Sequence, residues 1–102
     1  MNKKLEHTLT TEVMSDHIDK HVEVLHRVLK EKNLKYKNSV VKTIDKYGDA
    51  TIPIRLSDKL ARLEAFLLEG KDALNDENLL DTLLDIAGYA ILGRIYYTEH
   101  II

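Results

Sequence analysis

The chain has 102 residues, 15 basic and 17 acidic side chains, a formal charge of -2 and no cysteine. That length suits one domain spanning residues 1–102, and the missing cysteines exclude both a disulfide framework and a thiolate metal site. The near-neutral balance offers no global attraction to duplex nucleic acid, and no apolar run approaches the roughly 20 residues of a membrane span, so a cytoplasmic protein is expected.

One proline, four glycines and apolar residues recurring at three- and four-residue spacing predict an all-α fold of about four helices. The first runs from about Thr11 to Lys32, with Ile18, Val22, Leu25 and Leu29 on its core face. A short second helix spans Asn38 to Tyr47, capped by Asn38 or Ser39, stopped by Gly48 and buried through Val40, Val41 and Ile44. Pro53 suits the first turn of a third helix, which ends at Gly70 and carries Leu56, Leu60, Leu63 and Leu67 on one face. Ile54, Ala61, Ala65 and Leu68 form a second apolar face on that helix. A fourth helix starts near Asp76 and reaches about Tyr97; Leu79, Leu83, Ile86 and Ala90 face one way, Gly88 and Leu92 another. A helix that is apolar on two sides is buried on two sides, which predicts a homo-oligomer.

Residues four apart lie above one another on a helix, so Glu77, Asp81 and Asp85 form a ladder of like charges on the fourth helix. A divalent cation would remove their repulsion, and Mg²⁺ or Mn²⁺ prefers such oxygen ligands. Arg55, Lys59 and Arg62 recur along one flank of the third helix as a basic rail suited to phosphate oxygens. The same rail can instead pair with Asp81 or Asp85 between helices. Asp58 and Glu64 are the acidic residues of the third helix that could complete a metal site, Glu64 lying close to the leucine stripe. His17, His21 and His26 match no metallohydrolase spacing and are expected to flank the apolar face. Tyr89, Tyr96 and Tyr97 are expected to pack, whereas Tyr36 and Tyr47 lie in polar segments and are candidates to touch a base.

The runs RLSDKLARLE at Arg55 to Glu64 and DENLLDTLLDIAGYA at Asp76 to Ala90, preceded by YGDA at Tyr47 to Ala50, carry a resemblance. The carboxyl-terminal two thirds of the chain resembles the phage-associated nucleotide-modification-associated domain, related to the MazG-like all-α nucleoside triphosphate pyrophosphohydrolases. The resemblance implies a MazG-like helical bundle, dimeric or tetrameric, in the host cytoplasm if phage-encoded. It also implies Mg²⁺ on acidic helices of ExxE and ExxD pattern, and cleavage of a nucleoside triphosphate to monophosphate and pyrophosphate. Asp81 falls at the final position of ExxD with Asn78 three before it, Asp85 being the compensating carboxylate, and no ExxE is present because Ala61 separates Asp58 from Glu64.

The function expected is therefore Mg²⁺-dependent pyrophosphohydrolysis of a (deoxy)nucleotide. Glu77, Asp81 and Asp85 would hold the metal with Asp58 or Glu64, and Asp58 and Lys59 would be the catalytic pair. Lys59, with Arg55 or Arg62, would offset charge on the phosphates. The alternative is a non-catalytic oligomeric nucleotide binder, such as a phage protein that sequesters a nucleotide signal.

Overall fold

The computed structural model describes residues 10–68 and 77–100, with side chains described over 10–68 and 79–99. Four helices make up these residues: α1 (Thr11–Tyr36), α2 (Ser39–Tyr47), α3 (Thr51–Leu68) and α4 (Glu77–His100), and no strand occurs among them. The fold is all-α, as the periodicity predicts. The expected end of α3 at Gly70 and the start of α4 at Asp76 lie outside the described residues.

Each boundary has a local cause. Thr10 caps α1 from an extended conformation (φ -88°, ψ 168°), its hydroxyl accepting from the Val13 N–H at 3.1 Å. The helix runs one turn beyond the expected Lys32 and stops where Lys37 and Asn38 both turn left-handed, at φ 55° and 63°. Two successive non-glycine residues in that region each cost roughly 1 kcal/mol. Asn33 offsets part of this cost: its side chain donates to Asn38 Oδ1 at 2.7 Å, while its carbonyl accepts from the Asn38 N–H at 3.3 Å. Asn38 thus holds the corner rather than capping α2, for which it makes no side-chain cap bond. Gly48 ends α2 with φ 90°, a value a side chain would strain. Its carbonyl accepts from both the Thr51 N–H and the Thr51 hydroxyl, at 3.1 and 2.9 Å, so α3 opens at Thr51. Pro53 falls within the first turn, where its missing N–H leaves nothing unsatisfied.

Helices α3 and α4 run antiparallel: Ile52 near the start of α3 lies against Gly93 late in α4, and Lys59 reaches Asp85 about two turns further along. The buried centre is small. Ile44 of α2 and Ile52 are the buried apolar side chains among the described residues, joined by Thr51 and Thr82. Two tethers support this end of the bundle, the Tyr96 hydroxyl donating to Asp45 Oδ1 of α2 at 3.1 Å and that of Tyr97 to the carbonyl of Asp49, in the turn after α2, at 3.4 Å. The packing expectation for Tyr96 and Tyr97 holds, and their rings also meet edge to face at 5.6 Å.

Helix α1 lies on α4 through its carboxyl-terminal half only. Leu25 and Leu29 are half-buried, and the side chain of Leu29 comes so close to Gly88 that a Cβ there would sit 3.3 Å from Leu29 Cδ1. Ile18 and Val22, expected on the core face, are 54% and 55% exposed, since among the described residues no other element covers the amino-terminal half of α1. The Gly88–Leu92 side of α4, expected to meet another copy, is covered by α1 of the same chain instead. Leu60 and Leu67 of α3, placed by periodicity on the core face, remain exposed, as do Leu80, Leu83, Ile91 and Ile95 of α4. The radius of gyration, 16.0 Å, exceeds the roughly 13 Å of a close-packed chain of this length.

A candidate ligand cleft between three helices

The left-handed pair Lys37 and Asn38 turns the chain from α1 into α2, and the Leu29–Gly88 contact sets how near α4 comes to α1. Between them lies a cavity of about 240 Å³. Leu29, Val28, Leu84 and Leu92 make its apolar wall, while Lys32, Asn33, Tyr36, Ser39, Arg55, Asp85 and Tyr89 bring polar atoms to it.

Asp85 is the centre of its electrostatics. Its Oδ1 accepts from Lys32 Nζ of α1 at 2.9 Å and its Oδ2 pairs with Lys59 Nζ of α3 at 3.1 Å, so one carboxylate of α4 ties three helices together. Partial burial pushes the Asp85 carboxyl upward, but the hydrogen bonds from Lys32 and then Lys59 outweigh it and hold the group below the ordinary carboxylate value. The hydrogen bond to Asp85 correspondingly raises the Lys32 ammonium, against a smaller desolvation effect, and the negative charge of Asp81 adds to the rise. At neutral pH both partners are charged. The Asp85 and Lys59 side chains are 24% and 20% exposed, whereas Lys32 is 51% exposed and can swing toward the cleft with little loss of burial.

The residues singled out by the sequence separate into those at the cleft and those away from it. Arg55, Tyr36 and Asp85 line it, and Lys59 stands behind Asp85. Arg62, Asp58, Glu64 and Asp81 are exposed and do not line it. Glu64 therefore sits on the solvent side of the leucine stripe rather than beside the core. Tyr47 is 70% exposed, with Lys46 Nζ 5.3 Å from its ring centroid, and lies outside the cleft, which Tyr89 lines instead. The side chain of Glu77 lies outside those described. Lys32, Asn33, Ser39 and Tyr89 had no functional reading in the sequence. The signal was present in the spacing Leu25, Leu29, Lys32, Tyr36, which continues the inward stripe of α1 beyond the expected helix end.

The fit to a divalent cation is poor on the described side chains. Both Asp85 oxygens are engaged by ammonium groups, and among the described residues no three Asp, Glu or His side chains converge on one point. His17, His21 and His26 are exposed on α1, as expected of edge residues. Comparison of the chain with known protein families, with characterised proteins and with solved structures finds no match. Among the described residues no helix is long and apolar enough to cross a membrane.

Proposed function

We propose that this chain binds a nucleoside phosphate in the cleft lined by α1, α2, α3 and α4 and holds it without turnover, as a homo-oligomeric nucleotide-binding protein. The observation that carries the reading is the lining of the cleft, which joins the apolar Leu29, Leu84 and Leu92 and the tyrosines Tyr36 and Tyr89 with two cationic side chains, Lys32 and Arg55. A base and sugar suit the first, and arginine forks and lysine point charges suit phosphate oxygens at the second. Asn33 and Ser39 offer the few placed polar groups that fix orientation in such sites.

Mg²⁺-dependent pyrophosphohydrolysis, the activity implied by the MazG-like resemblance, is the second reading. The run Asp81 and Asp85 favours it, because Asp81 lies near enough to act on Lys32 across the helix gap. The first reading has the better support, since a metal at Asp85 would have to displace a lysine from an oxygen it already occupies. Oligomerisation is supported by the apolar surface left open on both long helices. Leu83 and Leu80 are 46% and 68% exposed on α4, and Leu60 and Leu67 are 47% and 57% exposed on α3. By helical geometry these lie on the side of the antiparallel pair away from α1, so a second copy can cover them without closing the cleft.

Equilibrium dialysis of the full chain against a panel of nucleotides with Mg²⁺, followed by chromatography of both solution and denatured protein, tests the proposal. Retained, unaltered nucleotide is the expected result. Release of pyrophosphate that needs Mg²⁺ and is lost in Asp85→Asn would transfer the protein to the hydrolase reading, and a panel without any retained nucleotide would defeat both. Light scattering should report more than one chain at micromolar concentration, and Leu83→Glu should shift the protein toward the monomer.

A further inference from the structure

Resting on the nucleotide reading of the cleft, we infer that Arg55 is the residue that grips the ligand's phosphate, and that Lys32, although it lines the same cleft, serves to neutralise Asp85. The charged side chains of the lining are Lys32, Arg55 and Asp85. Two of them are already bonded to each other, Lys32 Nζ lying 2.9 Å from Asp85 Oδ1. Lys59, which does not line the cleft, takes the other Asp85 oxygen at 3.1 Å. Asp81 adds its negative charge at Lys32, so two lysines face two carboxylates and their charges balance. Arg55 stands apart from this group, with no hydrogen bond or ion pair to any described residue. It is the cation of the lining that a new anion finds without a partner.

The two cations differ in what binding an anion would cost. A guanidinium offers five donors in a planar fork that matches phosphate oxygens, and at Arg55 no existing bond has to break first. If Lys32 turned to a phosphate, Asp85 Oδ1 would lose its partner on a side chain only 24% exposed, and an uncompensated carboxylate would face the incoming negative charge. Helix geometry puts Arg55 one turn before Lys59 on the same flank of α3, so the Lys59–Asp85 pair that fixes this flank against α4 also sets where Arg55 stands. Asp85 and its two lysines are then positioning residues, and Arg55 is the contact.

The experiment is calorimetric titration of the full chain with mono-, di- and triphosphates of each common base, after which the tightest binder is titrated into Arg55→Met and Lys32→Met, each alone and combined with Asp85→Asn. Arg55→Met should weaken binding by about tenfold or more in both backgrounds, with the melting temperature of the exposed position unchanged. Lys32→Met should weaken binding only where Asp85 keeps its charge, because Asp85→Asn leaves nothing for Lys32 to neutralise. Arg94→Met removes the same charge from an exposed site off the cleft and should leave affinity unaltered. If Lys32→Met costs as much affinity as Arg55→Met in the Asp85→Asn background, or Arg55→Met costs no more than Arg94→Met, the assignment is overturned and the nucleotide reading stands. A fall in the melting temperature of Arg55→Met would overturn it too, by making Arg55 a structural residue. Absence of binding of every nucleotide to the wild type would overturn the nucleotide reading itself, and this inference with it.

Discussion

The Lys32–Asp85–Lys59 triad invites a double-mutant cycle, because its two halves differ in exposure at nearly equal distance. At about 3 Å and an effective dielectric of 20 the gross attraction of either pair is about 5 kcal/mol, most of which desolvation and side-chain ordering cancel. The Lys32 pair, half in solvent at 51% exposure, belongs with exposed ion pairs worth about 0.2–1 kcal/mol. The Lys59 pair, with side chains 20% and 24% exposed, lies between that class and a buried pair, and about 1–2 kcal/mol of coupling follows. Lys32→Met and Lys59→Met keep the aliphatic stems, and Asp85→Asn keeps the shape, so each single variant removes charge with little loss of packing. Denaturant unfolding of the wild type, the three singles and the two doubles then yields both couplings. Asp85→Asn alone should lower stability by about 1–3 kcal/mol, and for a domain of this size each kcal/mol moves the melting temperature by about 4–8 °C. Raised salt should erode the Lys32 coupling more than the Lys59 coupling. A Lys59 coupling indistinguishable from zero, or smaller than that of Lys32, would refute the view that Asp85 ties α4 to α3 more firmly than to α1.

The same triad sets a pH dependence. The lowered Asp85 value makes its contribution fully present above the unfolded carboxyl pKa of about 3.9 and lost as pH falls through the folded value, while the raised Lys32 contributes below about 10.4 and fades as pH rises through its folded value. Chemical denaturation at a series of pH values should therefore show an acid-side loss in the wild type that Asp85→Asn flattens; an unchanged acid limb in that variant would contradict the assignment. The two α4 glycines should respond unequally to alanine. At Gly93 the added Cβ meets Ile52 at 3.5–3.7 Å, an ordinary contact, so Gly93→Ala should stabilise by up to about 1 kcal/mol through helix propensity. At Gly88 the added Cβ would sit 3.3 Å from Leu29 Cδ1, so that side chain must give by a few tenths of an ångström, and Gly88→Ala should show a smaller gain or a loss in thermal melts; equal melting temperatures for the two variants would argue against close α1 packing. Ile44→Ala removes the most completely buried apolar side chain, 1% exposed, and should cost about 2–4 kcal/mol in urea unfolding; a cost below 1 kcal/mol would place the core elsewhere.

Helix existence was readable directly, because three- and four-residue apolar spacing, Gly48 as a stop and Pro53 in a first turn are local signals that act through backbone geometry. Part of the site was readable for the same reason: Arg55, Lys59 and Asp85 stand at helical spacings that place them on flanks between apolar faces, and two of them meet. Periodicity shows which face of a helix is apolar but not what covers it. Ile18 and Val22 continue the stripe of Leu25 and Leu29 without a break, yet the first two are open and the last two covered, since only the latter lie opposite α4. Nor does local sequence reveal where a chain reverses. The paired left-handed residues Lys37 and Asn38, held by Asn33, redirect the chain from α1 into α2, and Lys32, Asn33, Tyr36 and Ser39 on either side of them all line the cleft. The partners of Asp85 illustrate the rest: Lys32 is 53 positions away, and a contact that distant is set by how three helices pack rather than by any spacing along one of them.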